Sequence, residues 1–474
     1  MNDDIHTEHN LDVHSVDSYW NFLKEKREQI NAVSPSFCAA KWKQSTILLY
    51  SGETHSCHHP SRHKITLEDI KDNPRGIHNT AVKKAARIDM LNGIQTKECD
   101  YCWKIENLNK DWMSDRIYKS TYSWALPHID EIVKSGDGAN IDPSYLEVAF
   151  ESTCNFKCVY CSPESSSRWQ EEIETHGPIE LEDFNLHDLD WLKEVGKLPI
   201  HRKEQNPYID AFWEWWPDLY PNLHTFRITG GEPLLSKHTW RVLDYIAENP
   251  NPNLTLAINT NLNVPDKLVE KLVEYINRIS CNIKLFDVYT SLESTGKHAE
   301  YSRFGMQFDE FKKNCKYVLD NTPNTTRLHY MTTINLTSAP TLLEYLEYIR
   351  EMRLKYYSKI HEFRVRTHLS YLRWPRMLCL TLLSDEDKQK YGDLWIDYID
   401  KHKLTSKKSV QETFYLEEVD QVKRLVDYMR STKESQSLYK DFRNYTRSLD
   451  KRRKTSFVDT FPELAYLMDD DYYG

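Results

Sequence analysis

The feature that most constrains this sequence is a short cysteine-rich stretch, Cys154-Asn155-Phe156-Lys157-Cys158-Val159-Tyr160-Cys161. It follows an apolar run at 145–150 that is typical of a β-strand. Three cysteines at C-x3-C-x2-C spacing can direct three thiolates toward one four-iron cluster, which leaves one iron without a protein ligand. The alternatives are buried cysteines or a structural zinc, but zinc usually takes four ligands and this loop holds no fourth Cys or His. We therefore predict an iron–sulfur cluster with an open iron.

The charge and hydropathy of the chain exclude several classes of protein. The 474 residues include 62 Lys and Arg against 72 Asp and Glu, a net charge of −10, so there is no basic excess for binding nucleic acid. The longest apolar run, 377–383, is too short to span a bilayer. The acidic N-terminus lacks the apolar core of a signal peptide. We expect a soluble, cytoplasmic protein without a nucleic-acid or membrane partner.

Strand-like and helix-like segments alternate from residue 145 onward. The pattern predicts an α/β fold with a parallel sheet, either open or rolled into a partial (β/α)6 TIM-like barrel, with its chemistry at the strand C-termini. A cysteine-rich α+β module (1–138) precedes this core (139–375), and a helical region (376–474) follows it. The predicted strands are 145–152, 223–229, 254–259, 282–291, 328–335 and 360–369, and the predicted helices are 164–175, 208–219, 238–248, 265–278, 307–320 and 340–354, followed by 385–402, 415–432 and 437–449.

Four further cysteines lie before residue 138. A hairpin with its turn at Ser51-Gly52-Glu53 would carry Cys57 on its return strand, and a C-x2-C pair follows a predicted helix at 79–92. The group could bind an auxiliary iron–sulfur cluster or a structural zinc, and the cysteine count does not separate the two. Histidines around Cys57 could also replace a ligand. The four cysteines are Cys38, Cys57, Cys99 and Cys102.

A glycine-rich turn, Gly230-Gly231-Glu232-Pro233, closes the second predicted strand of the core. Two adjacent glycines allow a ligand to approach the backbone closely. Together with the cysteine stretch, this turn resembles the radical S-adenosylmethionine (radical SAM) superfamily over 145–370. The resemblance implies that Cys154, Cys158 and Cys161 bind a 4Fe–4S cluster, that Tyr160 is the family's aromatic residue beside it, and that Gly230, Gly231 and Glu232 hold the amino group of S-adenosylmethionine at the open iron.

Three further positions resemble cofactor contacts of the same superfamily. Asn259 ends the third predicted strand, where a Thr-Asn pair is common. Ser291-Leu292-Glu293 resembles a Ser-x-Asp that contacts ribose, although Glu stands in place of Asp. Arg303 lies in an Arg-Gly-like stretch and could pair with the cofactor carboxylate, because a guanidinium fork fits a carboxylate. Each could instead be an ordinary turn or surface residue.

The four N-terminal cysteines resemble the twitch (half-SPASM) module, which holds one auxiliary 4Fe–4S cluster but usually follows the barrel. The two resemblances imply that the chain cleaves S-adenosylmethionine reductively to a 5′-deoxyadenosyl radical, which abstracts hydrogen from a substrate. A net oxidation or crosslink of a ribosomal peptide or small polar metabolite is expected, with an electron donor such as a flavodoxin or ferredoxin. The alternatives are a redox-neutral radical enzyme, such as an epimerase, with a structural zinc, and a non-enzymatic iron–sulfur or zinc scaffold.

Overall fold

The structure is a computed structural model that describes residues 16–109, 112–136, 139–182, 187–201, 203–357, 364–404 and 413–473. In these residues the strands are, in chain order, β1 (Gln44–Leu48), β2 (Glu53–His55), β3 (His63–Lys64), β4 (Tyr145–Ala149), β5 (Lys157–Cys158), β6 (Thr225–Thr229), β7 (Asn251–Asn259), β8 (Ile283–Ser291), β9 (Arg303–Phe304), β10 (Thr326–Met331) and β11 (Val365–His368). The helices are α1 (Val16–Val33), α2 (Ala40–Lys43), α3 (Leu67–Ile70), α4 (Ala81–Leu91), α5 (Asp100–Leu108), α6 (Asp115–Ser120), α7 (Ile129–Ser135), α8 (Ser167–His176), α9 (Leu189–Glu194), α10 (Pro207–Leu219), α11 (Lys237–Glu248), α12 (Asp266–Ile279), α13 (Gly296–Ser302), α14 (Phe308–Asn321), α15 (Leu342–Lys355), α16 (Asp385–Lys401), α17 (Leu416–Arg430), α18 (Gln436–Arg453) and α19 (Phe457–Thr460).

The predicted alternation of strands and helices is confirmed. The spacing of the apolar residues is the physical reason that the helices could be predicted. In α12, for example, Val269, Leu272 and Ile276 recur at helical spacing, and all three are buried. Helix α10 begins where Asn206 accepts backbone N–H bonds from the first turn, followed by a proline at the first helical position. The first residues of the predicted strand 360–369 and the predicted domain boundary at 138 lie outside the described residues.

The first of two compact units comprises the described residues up to Phe150, with Ile200–Thr229 and Asn253–Leu256. In it, β4 pairs in parallel with both β6 and β1, while β2 and β3 continue from β1 in antiparallel pairing. The predicted turn before β2 is confirmed and contains Gly52 at φ +65°. The placement of Cys57 on the return strand was wrong. Strand β2 ends at His55, whose ring contacts the Cys57 carbonyl and holds that residue in the following loop.

The second unit comprises the described residues of Glu151–Pro199, Gly230–Pro252 and Ala257–Gly474. Its parallel strands β8 and β11 flank β10. Strands β5 and β9 form a separate antiparallel pair. The predicted helices of the C-terminal region are present as α16, α17 and α18 and belong to this unit.

The protein thus has a mixed α/β fold with a mostly parallel sheet, as the sequence predicts. The partial barrel and the three-part domain division stay predictions. Over the described residues, no helix has the length and apolar character needed to cross a bilayer.

Candidate functional site

The cysteine stretch is held by bonds of its backbone as well as of its side chains, such as the Asn155 side chain, which donates to the Asn263 carbonyl at 2.9 Å. Strand β5 pairs with β9 so that Cys158 lies opposite Arg303. The Cys161 N–H donates to the Cys158 carbonyl at 3.0 Å, and the Cys154 N–H donates to Ser167 Oγ at 3.2 Å. These bonds fix the backbone at the first cysteine and turn the chain between the second and the third.

The three thiols of this loop lie near one another. Burial, together with the neighbouring Cys158 and Glu232, raises the pKa of Cys154 to about 12. The pKa of Cys161 is likewise raised by burial and then by Cys158 and Cys154. In the parts of the chain that are described, no group of three or more His, Cys, Asp and Glu side chains is arranged to hold a single metal ion. Thiolates of a four-iron cluster bind different irons, so they need not converge on one point.

The glycine-rich turn is bonded directly to the backbone that leads into the cysteine loop. The Gly231 N–H donates to the Glu151 carbonyl at 3.1 Å, and the Glu232 N–H donates to the Thr153 carbonyl at 2.6 Å. A Cβ on Gly231 would lie 2.3 Å from the Thr153 oxygen. Sequence reasoning explained the glycine pair by the approach of a ligand. At Gly231, a side chain is excluded by the carbonyl oxygens of Ser152 and Thr153, which directly precede the cysteine loop.

The Glu232 side chain ties the turn to the chain that follows β7. Its Oε1 accepts the Leu234 N–H at 3.0 Å, and its Oε2 accepts the Asn261 N–H at 2.7 Å. Burial raises the pKa of this carboxyl to about 7. Carboxylate oxygens have further lone pairs and can also accept from an ammonium group. The Asn261 N–H was not recognised from the sequence, which drew attention to Asn259 at the end of β7.

Glu293 lies at the centre of a buried network that sequence reasoning missed. Its Oε2 accepts from Arg303 Nε at 3.0 Å and Nη2 at 2.6 Å, and its Oε1 accepts from the Tyr160 hydroxyl at 3.0 Å. Arg303 Nη1 also lies 3.8 Å from Cys158 Sγ. The network joins two predicted site residues, Tyr160 and Arg303, beside the second cysteine. Ser291, the last residue of β8, takes no part in these bonds.

A layer of aromatic rings covers the backbone of the cysteine loop. Trp169 Nε1 donates to the Cys158 carbonyl at 2.8 Å, and the Tyr445 hydroxyl donates to the Val159 carbonyl at 2.6 Å. The His187 ring packs against both, with its centroid 4.4 Å from that of Trp169 and 5.4 Å from that of Tyr445. Tyr445 belongs to α18, so the C-terminal region takes part in the site. No motif in the sequence pointed to this contact.

Replacing Tyr445 with phenylalanine should weaken the loop without changing its packing. We expect the free energy of unfolding to fall by about 1 kcal/mol, the usual net value of one such hydrogen bond. After reconstitution, the variant should also lose iron to a chelator faster than wild type. Tyr275→Phe is the control, because its hydroxyl bonds Asp244 at an exposed position. Equal iron release by wild type and Tyr445→Phe would contradict the prediction.

The structure also brings the four N-terminal cysteines together. Burial raises the pKa of two of their thiols to about 12, and the thiols of neighbouring members of the group contribute. His59 faces the same cavity, but its Nε2 lies 2.6 Å from Asp115 Oδ2. Two buried cations, Arg116 and Lys119, line the cavity as well and can offset the charge of thiolates. The four cysteines that line it are Cys38, Cys57, Cys99 and Cys102.

Comparison with known proteins shows similarity to a protein family and to individual proteins. The model of the Radical SAM superfamily matches residues 150–346. The GTP 3′,8-cyclase of Mycobacterium ulcerans (strain Agy99) is 26% identical over 130 residues, which cover 26% of this chain and 28% of that protein. The chain therefore spans little more than a quarter of that relative's length. The crystal structure of Streptococcus suis SuiB bound to S-adenosylmethionine is 16% identical, with a TM-score of 0.31 over 76% of this chain and 70% of that one.

The matched residues contain the cysteine loop, the glycine-rich turn and the Glu293 network. Cys154, Cys158 and Cys161 are a donor set suited to an iron–sulfur cluster with one open iron. Residues 150–346 of this chain therefore match a radical SAM superfamily domain, which indicates an enzyme.

Proposed function

We propose that the chain cleaves S-adenosylmethionine reductively at a 4Fe–4S cluster held by Cys154, Cys158 and Cys161. The observation that carries the proposal is the direct bonding of the glycine-rich turn to the cysteine loop through the Glu232 N–H and the Thr153 carbonyl. The two motifs are far apart in sequence, and this bond between their segments supports the proposal that they form one site. When bound there, the cluster and S-adenosylmethionine supply the one-electron chemistry that abstracts hydrogen from a substrate.

The residues of the chain would bind, orient and shield these groups. The two oxygens of Glu232 fix the turn that would hold the amino group of S-adenosylmethionine. Glu293 fixes Arg303, whose guanidinium keeps a positive charge beside Cys158 and favours its thiolate. Trp169 and Tyr445 cover the carbonyls of the loop, which keeps water away from its back.

An auxiliary 4Fe–4S cluster at the four N-terminal cysteines is the second part of the proposal. Its support is their common cavity and the buried Arg116 and Lys119 in its wall. A cluster that accepts an electron suits a net oxidation or a crosslink. The alternative is a structural zinc in the same four-cysteine cage, with redox-neutral chemistry such as epimerisation at the other cluster. Four thiols suit either metal centre.

The substrate is proposed to be a ribosomal peptide or a small polar metabolite, and the electron donor a flavodoxin or ferredoxin. Both assignments come from the resemblance to twitch-containing radical SAM proteins. Function resides in the site rather than in the fold, so the assay below is independent of both.

The reaction is tested by reducing the anaerobically reconstituted protein in the presence of S-adenosylmethionine. We expect release of 5′-deoxyadenosine by wild type and none by Cys154→Ala, Cys158→Ala or Cys161→Ala. Cys281→Ala is the matched control, because Cys281 is an exposed cysteine outside both groups. Absence of 5′-deoxyadenosine from the wild-type reaction would rule the proposed activity out.

The auxiliary cluster is tested by metal analysis of the triple variant Cys154→Ala/Cys158→Ala/Cys161→Ala. We expect about four irons per chain to remain, since four cysteines can hold a complete cluster. Adding Cys99→Ala and Cys102→Ala should remove them. Zinc without iron in the triple variant would support the structural alternative and refute the auxiliary cluster.

A further inference from the structure

A buried group of charges joins the cysteine loop to the C-terminal region of the chain. Lys157 lies inside the loop, Glu172 belongs to α8, and Arg453 is the last residue of α18. Arg453 Nε and Nη2 donate to the two oxygens of Glu172 at 3.3 Å and 3.4 Å, and the ammonium group of Lys157 contacts Glu172 Oε2. One carboxylate therefore bonds two cations. We call Lys157, Glu172 and Arg453 the charged triad.

The charged triad is mostly shielded from water. The side chains of Glu172 and Arg453 are 1% and 2% exposed, and that of Lys157 is 17% exposed. Aromatic rings cover the guanidinium of Arg453, whose central carbon lies 4.7 Å from the ring centroid of Trp169 and 5.1 Å from that of Phe304. A cation over a ring face is attracted to it, and more strongly where water is excluded. Arg453 is therefore a fixed charge that solvent screens little.

The ion pairs beside the second cysteine carry an excess of positive charge. The charged triad has two cations and one carboxylate, while Arg303 and Glu293 form a neutral pair. A buried charge costs free energy unless an opposite charge offsets it. The thiolates that hold an iron–sulfur cluster would supply that opposite charge.

The charge of Arg453 acts on Cys158. Lys157 directly precedes Cys158 in β5, so the charged triad lies next to this cysteine. Burial raises the pKa of the Cys158 thiol, and the positive charges of Arg303 and Arg453 oppose that rise because they favour the thiolate. The same attraction favours any further negative charge at the loop, and an iron–sulfur cluster gains one when it accepts an electron.

We propose that Arg453 is a positioning residue of the proposed iron–sulfur cluster, which holds the cysteine loop through the charged triad and raises the reduction potential of the cluster by its charge. The inference rests on the proposed function, because it needs a cluster at Cys154, Cys158 and Cys161. It gives the last residue of α18 a role in that site. The net charge around a cluster and its exposure to solvent are two of the properties that set its potential.

The proposal is tested by a redox titration of the reconstituted protein, followed by electron paramagnetic resonance of the reduced cluster. The signal to follow is the one that the triple variant Cys154→Ala/Cys158→Ala/Cys161→Ala lacks. We expect a more negative midpoint potential in Arg453→Met, which removes a cation, and a less negative one in Glu172→Gln, which removes a carboxylate. Damage to the packing alone would not shift the two variants in opposite directions. Arg453→Lys keeps the charge and should stay closer to wild type.

Iron release to a chelator is the second measurement. Arg453→Met leaves Glu172 paired with Lys157, so the buried carboxylate keeps a partner. We expect this variant to lose iron about 10–100-fold faster than wild type, the usual effect on metal affinity of losing a partner outside the ligands. Arg447→Met is the matched control, since Arg447 lies on the same helix but is 49% exposed and bonds Asp470. It should release iron and titrate as wild type does.

Unchanged potential and iron release in Arg453→Met would overturn the role of Arg453. Shifts of the same sign in Arg453→Met and Glu172→Gln would overturn it as well. Either result leaves the proposed function standing, because wild type still carries the cluster and its release of 5′-deoxyadenosine is measured separately. A reconstituted wild type without the cluster signal would refute both proposals.

Discussion

Replacing Glu293 with glutamine will lower the free energy of unfolding by about 3–5 kcal/mol, the usual cost of leaving one partner of a buried ion pair alone. The Glu293 side chain is fully buried and that of Arg303 is 7% exposed, so water cannot replace the lost carboxylate. Glutamine has the same shape and can still accept from Tyr160. The loss of unfolding free energy therefore measures the cost of leaving the buried charge of Arg303 without its carboxylate partner. Urea unfolding of the metal-free protein measures it.

Two further variants separate this effect from a general loss of charge. Glu171→Gln removes a carboxylate that bonds Arg168 at 2.5 Å, but this side chain is 60% exposed. The loss there should be no more than about 0.5 kcal/mol. In Glu293→Gln/Arg303→Met both charges are gone, so the double variant should be more stable than the sum of the single losses predicts. Equal losses in Glu293→Gln and Glu171→Gln would contradict the role assigned to the pair.

Alanine at Gly231 will displace the cysteine loop and abolish iron binding. The added Cβ would meet the Ser152 and Thr153 carbonyl oxygens at 2.5 Å and 2.3 Å, and these are backbone atoms that cannot rotate away. Overpacking of this kind typically costs about 1–3 kcal/mol, and here the strain falls on the residue before Cys154. Thermal unfolding measures the stability, and the iron content after reconstitution measures the site.

The control for this variant is Gly296→Ala. Gly296 has φ +53° and nothing within 4 Å of an added Cβ, so alanine there brings only the strain of a left-handed backbone. We expect Gly296→Ala to lose some stability and to bind iron as wild type does. If Gly231→Ala also binds iron normally, the close contact between the turn and the cysteine loop is not required for the site.

The fold was largely predictable because it depends on local periodicity. Helix α12 was predicted at 265–278 and lies at Asp266–Ile279, since its apolar stripe alone determines its extent. Cys57 was misplaced because β2 ends at His55, and the spacing of residues does not mark the end of so short a strand. The pairing of β1 with β4 could not be predicted either, since parallel pairing joins strands that are distant in sequence.

In the candidate site, too, some residues could be predicted from the sequence and others could not. Cys154, Cys158 and Cys161 are visible as a motif because loop ligands must lie close in sequence. The partners that complete the site come from other segments. Glu293 resembled a ribose contact, but the structure pairs it with Arg303 and Tyr160. Tyr445 belongs to no motif, and only folding brings it to the loop.

The contact of Tyr445 with the Val159 carbonyl has a consequence for the biosynthesis of the protein. Tyr445 is incorporated 286 residues after Val159. At a ribosomal rate of about 5–20 residues per second, the cysteine loop waits roughly 15–60 s for this partner. During that time the nascent chain carries the cysteine loop without the hydrogen bond from Tyr445 to its backbone. The complete site therefore forms only after α18 has been synthesised.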